Sequence, residues 1–390
     1  MRSNRKRVER YLALVALLTI ATAWWAGKEK QADRLSKKME VFYPASSYQL
    51  QSLGENLWKV TSKKQGGTGF LATGSHKGYA GPVRMLVHYN RDLRIEELHV
   101  WSQSETPSYF SDVIKEGYLQ VFPGKAIDEP FLKITETDGV SGATKTCQAI
   151  AHATREASAI TARHTGEALN QSASPCPPLI GAREVILLLL FSLGIIIRLP
   201  GFQYKKQLQW IMLTGGLLFL GFVYASPLSL TNVNSILVGY WPDWQSELYL
   251  YILLAGILII LLTTGRNPYC QHFCPFGAYQ QILGSLGKAR SLRLKRRYWW
   301  TWLQRSLAWL ALLIAVFTHN PGISDYVVFG SLFQFTGSHR LFILLGLVTI
   351  TSLFIKKPWC NFLCPIRPIT DYIRLFRLNK ALSWKRKTNG

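Results

Sequence analysis

Four of the six cysteines stand in two matching blocks, Arg266-Asn-Pro-Tyr-Cys270-Gln-His-Phe-Cys274-Pro275 and Lys357-Pro-Trp-Cys360-Asn-Phe-Leu-Cys364-Pro365. Both read basic residue, Pro, aromatic, Cys, three residues, Cys-Pro. On a helical turn, positions i and i+4 project from one face. Each block then presents two sulfurs, and two blocks present four. Four thiolates make an all-sulfur site suited to iron–sulfur or zinc. The trailing Pro also occurs in bacterial ferredoxin runs. Three residues between cysteines, rather than the usual two, leave open one shared cluster or two incomplete sites. Thiols for redox exchange or plain packing are the third reading. The remaining pair, Cys147 and Cys176, has no spacing that fixes its distance.

A second motif, Asp138-Gly-Val-Ser-Gly-Ala-Thr144-Lys-Thr146, precedes a helical run from Cys147 to about His164. Ser141, Gly142 and Ala143 therefore fall at a helix start. The first N–H groups of a helix have no intrahelical partner, and the dipole there favours an anion. A phosphate can dock at such a place, and a Thr hydroxyl in the same turn could be esterified by it. An ordinary Ser N-cap after a Gly turn gives the same letters.

The histidines supply a negative. None of the eight is central in an apolar segment, which argues against a bis-His haem in mid-bundle. His272 lies inside the first Cys block and reads as an interfacial residue rather than a ligand. His319 and His339 bracket an outer loop, as solvated residues or as partners of a quinone head group. No carboxylate pair and no Ser/His/Asp set points to hydrolysis.

These groups must be positioned by a chain of 390 residues with net charge +23 and 13 Trp. The aromatic content excludes a disordered chain, and six Cys are too few for a disulfide scaffold. The charge is localised: residues 1–10 carry five Lys and Arg, 198–208 three, 266–297 seven, and 356–390 nine. Only Glu9 and Asp371 oppose them there. Each stretch abuts a long apolar run, so the positive-inside rule explains the charge better than nucleic-acid binding.

Six apolar segments stand out, at about 11–26, 185–197, 208–226, 248–264, 300–318 and 341–355. With the first basic stretch in the cytoplasm and the sides alternating, all four basic stretches fall inside. The connectors 227–246 and 319–339 then fall outside, and neither contains a Lys or Arg. Arg305 is the one ionisable side chain within an apolar segment, near its inner end, where it can snorkel to the interface. An uncleaved N-terminal anchor is expected, with a signal peptide as the alternative. Between the first two segments lies a mixed-charge region with alternating runs, such as Val83–Val87 and Ile95–Trp101 around the turn Asn90–Asp92. The Ser/Pro-rich stretch 171–178 ends it.

The expected fold is therefore an α+β extracytoplasmic domain joined to an all-α bundle of about six transmembrane helices with an internal repeat. The expected boundaries are 1–30 for the basic N-terminus and anchor, and 31–178 for the periplasmic domain. Residues 179–264 carry helices two to four, 265–299 the first Cys segment, 300–355 helices five and six, and 356–390 the second Cys segment and basic tail.

Asp138 through Thr144, with Gly78-Tyr-Ala-Gly-Pro-Val83 and Glu105-Thr-Pro107, resembles the FMN-binding domain family over roughly residues 60–165. That family includes the C subunit of sodium-pumping NADH:quinone reductase and the G subunit of Rnf complexes. The resemblance implies FMN joined to Thr144 through a phosphoester by a flavin transferase, with Thr146 as fallback. It also implies that Glu105 and Thr106 lie near the isoalloxazine ring.

The whole layout resembles the NosR/NirI-like membrane flavoprotein family, and the C proteins of reductive dehalogenase operons share the plan. The resemblance implies a multi-pass protein of the bacterial inner membrane, with a periplasmic flavin domain and both termini cytoplasmic. It implies electron transfer between the quinol pool, or a cytoplasmic-face 4Fe-4S centre held by the four block cysteines, and a periplasmic reductase or electron carrier. If catalytic, such a chain would act as a quinol dehydrogenase component. A redox-sensing regulator or maturation factor is the alternative, and a transport pore is a third. Cluster and flavin would sit on opposite sides of a ~30 Å core, bridged by docking, by a quinone or by a partner.

Overall fold

The first helix, α1 (Arg2–Phe42), is 41 residues long and leads directly into an antiparallel sheet. The computed structural model describes residues 2–63, 66–129, 143–167, 180–198, 201, 203–245, 247–291, 297–323, 326, 328–335 and 339–375. A domain boundary at residue 30 does not coincide with a break in the backbone. The residues after 26 are mostly Lys, Glu, Gln, Ala and Arg, all good helix formers, and no proline intervenes before Pro44.

The sheet has strand order β1-β2-β3-β4-β5. Its strands are β1 (Tyr48–Gly54), β2 (Leu57–Ser62), β3 (Thr68–Lys77), β4 (Pro82–Tyr89) and β5 (Ile95–Gln103). The hairpin expected from alternation is β4–β5, with Met85 opposite Val100 and Val87 opposite Leu98. Its turn is held by the Asn90 side chain, whose Oδ1 accepts from the N–H groups of Asp92 and Arg94 at 3.0 and 2.9 Å. Asn suits that place because its short amide closes on its own backbone.

Short helix α2 (Pro107–Lys115) follows, and then α3 (Thr144–Thr165) lies across β3 and β4. Ala149, Ala153 and Ala157 face Met85, Val87 and Tyr89 in one buried core. The approach is close because Gly74 sits beneath α3, where a Cβ would meet the backbone of Ala153 and Ala157. Cys147 is buried in this core, while Cys176 lies outside the described residues.

The rest of the chain is mostly helical. It comprises α4 (Ala182–Ile196), α5 (Lys205–Gly215), α6 (Leu230–Val238), α7 (Leu248–Thr264), α8 (Pro275–Leu286), α9 (Arg297–Thr318), α10 (Phe329–Phe333), α11 (His339–Phe354), α12 (Pro358–Phe362) and α13 (Ile366–Leu375). The apolar segment 208–226 is not one regular helix. From Gly216 to Val223 it widens into π-helical turns, at the Gly215-Gly216 pair, where backbone is least constrained. Among the described residues, two helices, Tyr11–Gln31 and Trp299–Thr318, are long and apolar enough to cross a membrane; 248–264 and 339–354 are shorter apolar helices.

Helices α1 and α9 pack side by side, and Gly27 permits the contact: a Cβ there would come within 2.6 Å of Phe317 O and of His319 Nδ1. Arg305 on α9 is covered rather than snorkelling free. Its guanidinium lies 3.9 Å from Glu9 and over the rings of Trp302 and Tyr372. A carboxylate and two aromatic faces within reach give the charge a partner inside the protein.

Candidate functional sites

Thr144 is the first residue of α3 and is exposed, with Ala143 as its N-cap. Thr146, two residues further along the helix, is 1% exposed. Of the two hydroxyls, Thr144 is the one a modifying enzyme can reach. Asp138, Ser141 and Gly142 lie outside the described residues.

Beside this helix start, Glu105 is fully buried in the loop between β5 and α2. Ala80 N–H donates to its Oε2 at 3.4 Å. Among the described residues, Oε1 and the neighbouring Thr106 Oγ1 have no hydrogen-bond partner. Gly78 makes room, since a Cβ there would strike the Glu105 carboxyl. Burial pushes the Glu105 carboxyl up to about 7, against the N–H groups of Ala80, Tyr79 and Thr106 and the Thr146 hydroxyl, which favour the anion. A carboxyl raised in this way favours folding while protonated and loses that advantage as it ionises. Flavin-free protein is expected to lose up to roughly 3 kcal/mol as pH rises from about 4.5 through about 7. Thermal unfolding against pH reads this, and Glu105→Gln should flatten the slope. An unchanged slope in the variant would mean that Glu105 ionises without hindrance.

The sheet domain does not float free of the helices. Ser104 Oγ donates to His319 O at 3.2 Å, and Asn320 Nδ2 to Gln103 O at 3.3 Å. Tyr109 Oη donates to Gln334 Oε1 at 2.9 Å, and Ser235 Oγ to Ala80 O. Lys145 pairs with Glu247 at 2.9 Å. His319, expected in a solvated loop, is 5% exposed because the sheet domain and α1 cover it.

A cleft of about 610 Å3 runs along this seam. Its sheet-domain wall includes His76, Lys77, Gly78, Tyr79, Lys145 and His152. Its helical wall includes Tyr224, Ser226, Asn232, Glu247 and Tyr249. His76 and His152 stack in parallel, 4.4 Å between centroids. Burial first, then the neighbouring His76 and Arg155, hold His152 down to about 4, so it is neutral at pH 7. The volume suits a mononucleotide-sized ligand. Lys77 and Lys145 are the cations of the lining that an FMN phosphate would meet; Thr144 directly precedes Lys145, and Glu105 lies behind Gly78 rather than in the lining.

The four block cysteines converge in the helical part. Cys270, Cys274 and Cys364 pack against one apolar cluster and the second of each pair also against another. All four are close enough to perturb one another electrostatically. The pairs are not two sulfurs on one helical face, as i, i+4 spacing implies. Each helix ends between its cysteines: Cys270 sits in π-helical turns Tyr269–Phe273, while Cys274 is extended and caps α8. The second block closes the same way, with Cys274 N–H to Tyr269 O at 2.8 Å and Cys364 N–H to Trp359 O at 2.9 Å. A new helix starts at each of these prolines: Pro275 is the first residue of α8, where its missing N–H leaves no helical bond unmade, and α13 begins directly after Pro365.

As a result the N–H groups two and three residues on point at the sulfur. They are Phe276 and Gly277 for Cys274, and Ile366 and Arg367 for Cys364. Asn267 Nδ2 donates to Cys270 Sγ at 3.2 Å, and buried Gln280 Nε2 to Cys360 Sγ at 3.5 Å. Hydrogen bonds to sulfur of this kind tune iron–sulfur clusters. Among the described residues, no three His, Cys, Asp or Glu are close enough to share one metal ion. Four neighbouring thiols at wider spacing suit a cluster, where each holds its own iron, better than a mononuclear zinc. His272 is half-buried within the π-helical turns, with Nδ1 unpartnered.

The two places are linked through two tyrosines. Tyr249 lines the cleft, donates to Ser226 O at 3.0 Å, and lies within electrostatic reach of Cys274. Leu228 N–H donates to Tyr269 Oη at 2.9 Å, and Tyr269 directly precedes Cys270. Residue type alone did not mark Tyr249, Asn267, Gln280 or Gln304, whose amide donates to Cys364 O at 2.8 Å. A buried Gln on an apolar helix is the one sequence signal that points to the last two.

Comparison with known proteins agrees with this division. The FMN-binding domain model matches residues 78–159. The 4Fe-4S binding domain model matches twice, at 248–293 and 338–384, each match holding one Cys pair. Protein NirI of Paracoccus denitrificans is 24% identical over 196 residues, 47% of this chain and 28% of that protein. Regulatory protein NosR of Pseudomonas aeruginosa is 25% identical over 201 residues, again 47% and 28%. YccM of Escherichia coli, named for electron transport, is 27% identical over 161 residues, 36% of this chain and 43% of that one. The chain thus spans less than a third of NirI and NosR and under half of YccM. These matches support a NosR/NirI-like family, with an FMN-binding domain joined to a helical, 4Fe-4S binding part.

Proposed function

We propose that the chain is a membrane electron-transfer flavoprotein. It moves electrons between an iron–sulfur centre held by Cys270, Cys274, Cys360 and Cys364 and an FMN seated in the cleft and esterified to Thr144. The observation that carries this reading is Tyr249, which lines the cleft and belongs to the apolar cluster against which Cys270, Cys274 and Cys364 pack. When bound, FMN exchanges electrons singly or in pairs and an iron–sulfur cluster exchanges them singly, so together they join two-electron to one-electron carriers. The chain's own residues do the positioning. Lys145 and Lys77 supply cationic charge to a phosphate, Glu105 gains or loses a proton near pH 7 beside the ring site, and Tyr249, Leu228 and Tyr269 exclude water between the two sites.

The membrane reading is supported by the outward-facing Leu188, Ile195, Leu258, Ile259, Ile343 and Leu347 on the helical part. In it, about six spans carry the cleft on the periplasmic side and both termini in the cytoplasm. The matching i→i+5 closures at Tyr269/Cys274 and Trp359/Cys364 support an internal repeat. Electrons would enter from quinol or a cytoplasmic donor and leave to a periplasmic reductase or carrier, or flow the other way. A second reading, a redox-sensing regulator, draws on the name of the NosR relative.

Anaerobic titration of the purified chain with dithionite tests the proposal. Flavin and iron–sulfur absorbance should both bleach and both return on reoxidation. A chain that shows flavin changes alone, after reconstitution with iron and sulfide, would sink the two-centre reading and favour the regulator.

A further inference from the structure

A second cavity, of about 660 Å3, opens at the far end of the helical part from the cleft. Trp210, Gln281, Ser285, Lys288, Lys356 and Lys357 are among its lining, and no Asp or Glu is. The lysines are gathered by backbone pairing. Arg290 N–H donates to Phe354 O at 2.9 Å, and Lys356 N–H to Arg290 O at 3.2 Å, locking the chain after α8 to the chain after α11.

Lys288 and Lys357 both have left-handed backbones, with φ of 50° and 51°. That region costs a non-glycine residue free energy, and strain of this kind collects at functional places. Residues adjoining the lining in sequence, Ile211, Leu286 and Phe354, are large, apolar and exposed. The pocket therefore joins three lysines, without an acidic partner among the described residues, and an indole to a greasy rim. Basic pockets between helix ends at the cytoplasmic interface take anionic headgroups, with Trp at headgroup level.

We propose that this pocket seats the headgroup phosphate of an anionic phospholipid, with the acyl chains along Ile211, Leu286 and Phe354. The inference rests on the reading that the helical part spans a membrane with this end inside. Gln280, which donates to Cys360 Sγ, also lines the pocket, so an occupied headgroup lies next to the cysteine centre.

The test uses the full chain in mild detergent, titrated with phosphatidylglycerol and read by native mass spectrometry and thermal shift. Binding is expected to weaken about tenfold or more in Lys288→Gln/Lys356→Gln, the scale of two near-surface lysines. The control Lys205→Gln/Lys206→Gln removes the same charge from exposed positions outside the pocket and should bind like wild type. Should the double variant fail to fold, single Lys356→Gln, at an exposed side chain, carries the comparison. Equal loss in both double variants would overturn the pocket in favour of diffuse charge. Equal binding of phosphatidylcholine, or displacement of the lipid by inorganic phosphate at matching concentration, would overturn it too. Release of the chain from membranes by alkaline carbonate would contradict the membrane reading itself, whatever the titration shows.

Discussion

Thr144→Ala is expected to abolish covalent flavin, from one FMN per chain to none, in protein co-expressed with a flavin transferase. The hydroxyl sits on the first residue of α3, exposed, where N–H groups without intrahelical partners face outward. A phosphate there meets those donors, the positive end of the helix dipole, and Lys145. Thr146 cannot substitute, because it is 1% exposed and turned toward Glu105. Thr146→Val should therefore keep the flavin. Fluorescence of the denatured band and intact mass decide the matter. A fluorescent band surviving in Thr144→Ala, or lost only in Thr146→Val, would move the attachment point.

Cys274→Ser should lower bound iron from about four per chain to near zero, leaving covalent flavin unchanged. Cys274 lies at the meeting of both apolar clusters and receives the N–H groups of Phe276 and Gly277. Removing one thiolate from a four-sulfur site leaves an iron without its protein ligand in a water-poor place. Gln280→Ala, which removes the hydrogen bonds to Cys360 Sγ and from Trp359 N–H but no thiolate, should retain iron but shift the reduction potential. Iron and acid-labile sulfide assays, with visible spectra, read both variants. Full iron in Cys274→Ser would mean that the two Cys pairs do not hold one centre.

The chemistry was more legible than the architecture that joins it. The Cys blocks and the Thr144 motif are local patterns, so their residues stand out without any knowledge of folding. The β4–β5 hairpin was legible for the same reason, since alternation and an Asn turn act over a dozen residues. The cysteine geometry was not: Pro275 and Pro365 each restart a helix, which breaks the i, i+4 face that spacing implies. Nor did the sequence show how the domain meets the helices. Ser104 to His319 and Tyr109 to Gln334 join residues more than 200 apart, through ordinary polar side chains with no motif. That seam brings the two sites onto common ground, because Tyr249 belongs both to the cleft lining and to the apolar cluster against which Cys270, Cys274 and Cys364 pack.

The central claim is that flavin and iron–sulfur centre exchange electrons within one chain. The direct measurement is stopped-flow mixing of the fully loaded protein with less than one equivalent of a fast one-electron donor, followed at flavin and cluster wavelengths. The account predicts redistribution between the two at a rate independent of protein concentration. A rate that scales with protein concentration, or no redistribution at all, would contradict it.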